Sequence, residues 1–581
     1  LLDSRPIFSA LSGVYGIEQI PASMIERVEV MRGGGSALFG SSAIAGTINI
    51  ITKEPMRNSG MLSHTITGIG DGDVFDNSTA LNASLVTDDQ RAGLYIFGQN
   101  RHRSAYDHDG DGYSEIPKLH GQTIGFRSFL KTTTYSKLTF EYHHMEEFRR
   151  GGDLLNRPPH EANVAEQTEH SINGGGLKFD YFSPNENHRF NVFASAQHIN
   201  RDSYYGPGDR DPLDAYGNTT DLNWMAGSQY VYSFGKCIFM PSDLIAGIEF
   251  NQDKLEDNMW GYNRTVDQKV NIGSAFLQNE WKNDHWGFLI GGRLDKHNLI
   301  DHVIFSPRAN LRYNPTENIN LRFSYSSGFR APQAFDEDLH VENVGGNVAM
   351  VELADNLKEE RSQSLSASAD IYHRFGAFQV NFLVEGFYTK LSDVFALTDG
   401  EVVDGILTRT RHNASGAQVL GLTLEGKMAY LNKIQVQAGV TLQQSHYSKP
   451  HIWNKEAPAV KKMMRTPNTY GYFTATYTPI KPLSIALSGT YTGSMLVPHE
   501  PVPGFLENPI TVNTKDFFDI GLKAAYDFKL YKSMNLQLNA GIQNIFNAYQ
   551  DDFDKGADRD SGYIYGPSLP RSFFAGVKIS Y

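Results

Sequence analysis

Short segments of period two, repeated along most of the chain, restrict what this sequence can become. In 535–543, Leu536, Leu538, Ala540 and Ile542 fall on one face, and Asn535, Gln537, Asn539 and Gln543 fall on the other. Phe573, Ala575, Val577, Ile579 and Tyr581 alternate in the same way with Phe574, Gly576, Lys578 and Ser580. So do Phe378, Val380, Phe382 and Val384, and again Leu483, Ile485, Leu487 and Tyr491. Two-residue periodicity with one apolar face marks a strand buried on one side. No stretch approaches the ~20 apolar residues of a membrane-spanning helix, whereas a barrel strand crosses with about 9–11 residues, alternate ones apolar. A membrane barrel therefore looks polar on average. That fits 40% hydrophobic residues and a mean hydropathy of -0.39, alongside 12% aromatics and 54 glycines.

A soluble sandwich also alternates, but here the polar faces are rich in Asn, Gln, Ser and Thr, as a wet lumen requires. Segments often end in aromatics, such as Phe323 with Tyr325, or Tyr470, Tyr472 and Tyr477, which suits interfacial girdles. Connections are asymmetric. Tyr313-Asn314-Pro315-Thr316-Glu317 reads as a short turn, while 146–170, 202–222, 331–360, 446–466 and 495–514 read as long polar loops. Short turns on one side and long loops on the other are the outer-membrane pattern. A chain of 581 residues would ordinarily divide into several domains, but a barrel whose apolar surface faces lipid needs no thick core. No fixed repeat of the propeller kind is present. The net charge of -13 argues against a nucleic-acid partner. A single cysteine, Cys237, excludes an intrachain disulfide and a thiolate cluster. The opening LLDSRPIF has neither the basic nor the apolar region of a signal peptide and reads as the middle of a strand, as though the chain begins inside a domain.

Residues 1–55 differ in texture, being rich in small residues and ending in the β-branched run Thr47 to Thr52. Residues 20–53, IPASMIERVEVMRGGGSALFGSSAIAGTINIITK, resemble the C-terminal half of the plug domain of TonB-dependent receptors. Ile25 to Arg32, Gly40, Ala43, Gly46 and Ile48 to Ile51 sit in register with the family segment. Gly33-Gly34-Gly35 stands where Gly-Pro is usual, and Ala45-Gly46 where Gly-Gly is usual. Gly35 to Gly40 also has phosphate-loop spacing, but Ser41 occupies the place of the required lysine. The glycines instead suit tight turns in a crowded lumen, where Glu26, Arg27, Glu29 and Arg32 could pair across a polar plug–barrel interface. GIQNIFNAYQ at 541–550 and the aromatic Tyr581 also resemble the family's closing strands.

The resemblance implies an all-β fold: an antiparallel transmembrane β-barrel of about 22 strands, with a partial N-terminal plug domain in its lumen. Plugged transporters have that strand number. The expected boundaries are 1–55 for the plug half and 56–581 for the barrel, roughly 24 residues per strand with its half-loops.

Two clusters stand out as candidate sites. Asp107-His108-Asp109-Gly110-Asp111-Gly112-Tyr113-Ser114-Glu115 places carboxylates at positions 1, 3, 5 and 9, glycine at 6 and a backbone carbonyl at 7, the start of a Ca²⁺ loop. Lys118 replaces the closing glutamate of an EF-hand, so Asp107, Asp109, Asp111, Tyr113 and Glu115 would form a different kind of Ca²⁺ loop. Within the family such loops are familiar in cobalamin receptors. The second cluster, Gly328-Phe329-Arg330-Ala331-Pro332 followed by Ala354-Asp355-Asn356-Leu357, resembles the paired boxes of haem receptors, with His340 between them as in an axial ligand position. Similar first boxes occur in cobalamin and siderophore receptors. Phe329, Arg330 and His340 are thus the candidate substrate residues. The acids Asp336, Glu337 and Asp338 set His340 in anionic surroundings that disfavour ligation of haem iron. Aromatics at Tyr204, Tyr205, Trp224, Trp260, Tyr262 and Trp453 suit a planar or ring-rich ligand in the loops. His143 and His144, adjacent on a strand, face opposite ways and cannot easily chelate together.

No nucleophile elbow or zinc-protease motif is present, so no enzymatic activity is expected. The resemblance implies an active importer in the outer membrane of a Gram-negative bacterium. It would carry haem, cobalamin or a ferric siderophore. Its partners would be TonB, acting through an N-terminal box outside this sequence, and outer-membrane lipid, with a surface lipoprotein as a further candidate. A passive porin and a surface-binding barrel without transport are the rival readings.

Overall fold

The computed structural model describes residues 1–4, 20–41, 43–44, 46–207, 211–344 and 347–581. The strand expected at the opening LLDSRPIF, the Ala45 of the plug motif and Gly345-Gly346 in the 331–360 segment fall partly or wholly outside these residues. From Ser59 onward the chain zigzags as strands of nine to 22 residues, each antiparallel to the next. Among the described residues 22 strands form one closed barrel, with the short Val460–Lys462 strand as a flap on its rim. The first barrel strand, Ser59–Ile69, pairs with the last, Ser572–Ser580, from Met61↔Ser580 to Ile69↔Ser572. Hydrogen bonds between Gly60 and Tyr581, at 2.9 and 3.2 Å, finish the seam.

Every second connection is short, as at 87–91, 134–135, 238–239 and 376–377. The alternate set includes 331–359, 393–416, 493–516 and 544–571. The turn expected at 313–317 lies instead at Glu317–Asn318, because Ile304–Thr316 stays extended past Tyr313, with Asn314 and Pro315 forming a bulge before Thr316↔Ile319. The supposed loops 146–170 and 202–222 are largely strand. Ser136–Gly152, Val164–Phe182, His188–Pro207 and Tyr216–Cys237 carry the wall past the bilayer, leaving only 153–163 and 208–215 as connections. Of these, 208–210 lie outside the described residues. Once clear of lipid, a strand needs no apolar face, so it reads as a loop. On Ser136–Gly152 the outward residues Phe140 and Tyr142 are exposed and apolar, and the next ones outward are His144 and Glu146, paired at 3.3 Å. Trp224, expected in a loop, sits in Tyr216–Cys237 against Phe250.

The outward face is an apolar band. Leu487, Leu522 and Ile542 stand side by side on three neighbouring strands. Near the short turns an aromatic girdle runs through Trp286 stacked on Tyr313 at 4.2 Å and Phe378 tilted against Tyr430 at 4.5 Å. Tyr526 belongs to this girdle and Phe518 to the opposite edge of the band, both outward and exposed. The eight residue steps from one to the other span about 26 Å along the strand, the order of the band in outer-membrane barrels. Inside, phenylalanines repeatedly face glycines in register: Phe97↔Gly125, Phe276↔Gly247 and Phe387↔Gly421. A Cβ on any of these glycines would meet ring atoms at 2.2–2.4 Å. The rings therefore lie against the wall, and the lumen keeps its width.

The plug segment occupies that width. β1 (Ile25–Arg32) and β2 (Gly46–Thr52) form an antiparallel hairpin around the single turn α1 (Ser36–Phe39). Its tip touches the barrel backbone. A Cβ on Gly34 would lie 2.7 Å from the Ser327 carbonyl carbon, and one on Gly328 would lie 2.5 Å from the Ala43 oxygen. This mutual approach needs hydrogen on both sides, which accounts for glycine at each. Ser362 donates to the Ile44 carbonyl at 2.6 Å, and the Phe329 N–H donates to Ser36 at 3.0 Å. Of the four charges expected at this interface, Arg32 reaches the wall, holding Glu385 and Glu425 at 2.9 Å each. Arg27 pairs with Glu29 on its own strand at 2.8 Å.

These facings predict an asymmetry in stability. Leu522→Arg, in the middle of the lipid band, should cost about 2–4 kcal/mol. Gln537→Arg, on the lumenal face beside Asp527, should cost far less. Equilibrium unfolding in lipid vesicles compares the two; equal costs would contradict the assigned facing.

Candidate functional site

The long-loop end of the barrel is closed by loops folded inward. In 331–359 the helical turn α2 (Asp336–Leu339) drops against the wall. Asp336 meets Arg201 at 2.9 Å, with both side chains almost wholly buried. Arg264 donates to the Leu339 carbonyl at 2.9 Å, and Gln268 bonds both the N–H and the carbonyl of Ala334. Arg411 pairs with Asp338 and, at 3.4 Å, with Glu337. Leu339 and Ala334 complete an apolar cluster with Met145, Ile172, Ile199 and Leu255 of the wall.

Beneath these loops lies a cavity of about 300 Å³, bounded by the tops of four barrel strands and by residues of 331–359 and 544–571. His340 is on its wall, its ring edge-on to Tyr205 at 5.1 Å and its Nδ1 3.8 Å from Glu166. The acids preceding it do not face it: Asp336, Glu337 and Asp338 are drawn to Arg201, Arg330 and Arg411. The anionic neighbour is Glu166, from another strand. Phe329 is 1% exposed and packs with Ile300, Ile304 and Ala331. Arg330 lies over the Phe335 ring at 3.9 Å and pairs with Glu337. Of the three candidate substrate residues, His340 alone lines the cavity, while Phe329 and Arg330 anchor the base of its loop.

The acidic loop 107–115 borders the same cavity. Oxygens of Asp107, Asp109 and Glu115 lie within 4.8 Å of one another. Asp107 also accepts from the N–H groups of Gly110 and Gly112, at 2.7 and 2.8 Å. Asp111 is directed elsewhere, to Arg559 at 2.5 Å and to the Gly556 N–H. Arg559 also holds Glu115 at 3.0 Å and lies over the Tyr113 ring at 4.7 Å, and Lys555 approaches Asp109 at 3.6 Å. The cluster thus draws part of its neutralising charge from 544–571. The Asp109 Oδ2 atom remains buried without a hydrogen-bond partner.

Further out, one guanidinium serves three loops. Arg409 binds Glu342 at 2.7 Å, Asp399 at 3.0 Å and Glu500 at 3.2 Å. Asn454 bridges Asp399 and Glu500, and Asp560 accepts from the Glu500 N–H. His499 pairs with Asp554 at 3.0 Å and stacks on Tyr563 at 3.7 Å. Sequence reasoning missed Glu166, Glu342, Arg409, Glu500, Arg559 and Asp560. The available signal was the length and acidity of DDFDKGADRDSG after the closing-strand motif, but its partners lie from 55 to 448 residues away.

A closed, lipid-facing barrel with a hairpin in its lumen and a loop-covered vestibule is the architecture of a plugged outer-membrane receptor. The chain belongs to the TonB-dependent receptor family: the family model "TonB dependent receptor-like, beta-barrel" matches residues 59–545, and "TonB-dependent Receptor Plug Domain" matches residues 1–47. It is 23% identical over 349 residues to the vitamin B12 transporter BtuB of Vibrio vulnificus (58% of this chain, 52% of that one). It is 26% identical over 348 residues to an iron-regulated outer membrane virulence protein of Vibrio cholerae (57% and 49%). The chain therefore spans about half the length of the curated relatives it matches. Among solved structures it resembles the siderophore receptor PirA of Acinetobacter baumannii, with TM-score 0.78, 17% identity and coverage of 100% of this chain and 90% of that one. The ferric enterobactin receptor PfeA of Pseudomonas aeruginosa gives 0.77, 16%, 100% and 90%. At these identities the likeness is one of fold.

The Arg409 cluster predicts a pH dependence. Burial, reinforced by the Asp399 carboxylate, pushes the Glu500 carboxyl up to about 7 against the pull of Arg409. Between its ordinary value and about 7 the folded loops hold a proton that an unfolded chain has released. Their stability is therefore full at low pH and falls as pH rises through that interval. Hydrogen exchange in 493–516 and 544–571, corrected for intrinsic rates, should be slower at pH 5.5 than at pH 8. Glu500→Gln should flatten the difference; an unchanged difference would place the titration elsewhere.

Proposed function

We propose that this receptor binds a scarce, bulky nutrient (haem, a cobalamin or a ferric siderophore) at its long-loop end and imports it to the periplasm with energy transmitted by TonB. The observation that carries the reading is the hairpin in the lumen, backbone to backbone with the wall at Gly34 and Ser327–Gly328 and tied by Arg32 to Glu385 and Glu425. A passage obstructed at rest suits an importer that opens on demand better than a porin. The names of the relatives, a vitamin B12 transporter and an iron-regulated protein, support the same substrate range. No catalytic role is assigned.

In planar bilayers the intact receptor should be nearly closed. Gly34→Val, whose side chain collides with the Ser327–Gly328 backbone, should raise the conductance severalfold. Uptake by cells producing the whole receptor should stop when TonB or the proton gradient is removed. Open conductance without the substitution would favour the porin; substrate retained at the surface but never imported would favour a binding barrel.

A bound Ca²⁺ in the 107–115 loop is a second part of this reading. Asp107, Asp109 and Glu115 offer clustered hard oxygens, and the buried Asp109 Oδ2 accepts no hydrogen bond, with only the Lys555 ammonium near it at 3.6 Å. Asp111 and the Tyr113 carbonyl could join only if Arg559 released Asp111. Calorimetry should show Ca²⁺ binding that Asp107→Ala with Asp109→Ala abolishes. The absence of heat in the unaltered receptor would mean that Arg559 and Lys555 complete the charge balance.

A further inference from the structure

The cavity beneath the loops has a lopsided charge. Glu115, Glu166, Glu342, Asp554 and Asp560 line it, against two guanidiniums, Arg149 and Arg559. Both arginines are already engaged: Arg149 holds Glu147 at 2.7 Å, and Arg559 is divided between Asp111 and Glu115. The next cation outward, Arg409, is shared among three carboxylates. The wall also carries Tyr205, 3% exposed, whose hydroxyl is buried with no hydrogen-bond partner. Such a group is satisfied by a ligand more readily than by this wall. The cavity's volume is at the lower end for ligand pockets, so it receives part of a bulky molecule, and the remainder requires 331–359 and 544–571 to part.

We infer, on the import reading above, that this cavity is the subsite that sets substrate charge: it accepts a neutral or cationic metal complex bearing hydroxyl, amide or amine groups, and it rejects polyanionic chelates. Tyr205 and His340 supply hydrogen bonds and an aromatic edge. The carboxylates attract ammonium groups or accept from amides, and they repel a catecholate or carboxylate shell. The ferric enterobactin receptor that shares the fold therefore does not carry its substrate over to this chain.

The test uses the whole receptor in detergent and three probes of different charge: cyanocobalamin, which is neutral; ferrioxamine B, a cationic ferric trihydroxamate; and ferric enterobactin, a trianionic tris-catecholate. Binding is followed by fluorescence quenching at low and at physiological salt. At least one of the first two should bind, with the trianion at least roughly 100-fold weaker, the scale of like-charge juxtaposition. Glu166→Gln and, separately, Asp560→Asn should each narrow that gap, and added salt should narrow it too. Folding of each variant is checked by heat-modifiable mobility. A trianion bound as tightly as the better of the other two, or a gap indifferent to both substitutions and to salt, overturns the charge filter while leaving the import reading intact. Failure of all three probes to bind overturns the charge filter, while the import reading stands or falls with the TonB-dependent uptake experiment.

Discussion

Inside a bilayer no water waits for an unmade backbone hydrogen bond, and each one left open costs several kcal/mol. The rest of this structure follows from that. Strands in lipid must all be paired, so the sheet closes, with Ser59–Ile69 against Ser572–Ser580. Closure fixes an inside and an outside, and the pleat then sends alternate residues to each. The outer set is apolar between two aromatic edges; the inner set is free to be polar. Only a polar lumen can seat a plug through ion pairs such as Arg32 with Glu385 and Glu425. Pairs of this exposure are individually weak, of the order of 0–1 kcal/mol. The mutual backbone approach at Gly34 and Gly328 is what fixes the hairpin's position.

Much of this was legible in the sequence because its causes are local. The Leu536–Ile542 alternation is the pleat written out, and the Thr47–Thr52 run is a strand of the plug. What escaped was set by distance or by the absence of lipid. Above the membrane the strands of residues 136–237 lose their apolar face and look like loops, although their ladders continue unbroken. The pairing of lumenal phenylalanines with glycines depends on register between strands, which no single segment states. The site was least legible. His340 could be singled out, but its neighbours Tyr205 and Glu166 come from other strands, and Arg559 reaches Asp111 across 448 residues of sequence. Phe329 and Arg330 were marked by their motif, yet their contacts are those of a loop anchor.

The vestibule is built on economy of positive charge. Arg201, Arg409, Arg411 and Arg559 each serve more than one acid or more than one loop, so the inward segments are held by a few shared anchors. Such an arrangement is cooperative: releasing one acid alters what its arginine offers the others. It also separates roles. The turn Asp336–Leu339 is cemented to the wall by buried pairs and apolar packing, whereas 493–516 and 544–571 meet at Glu500, whose carboxyl burial pushes up to about 7.

The seam between the first and last barrel strands bears on how such a chain comes into being. Arg571 and Asp71, which meet beside it, are 500 residues apart. During synthesis the early strand waits with one edge bare until nearly everything else has emerged, and so does each newly made strand at the growing end. Bare edges of this kind invite pairing with any other extended chain nearby. The free edge of the first strand is covered only once the last strand is in place, so the nascent polypeptide has to be kept apart from its neighbours until the seam closes.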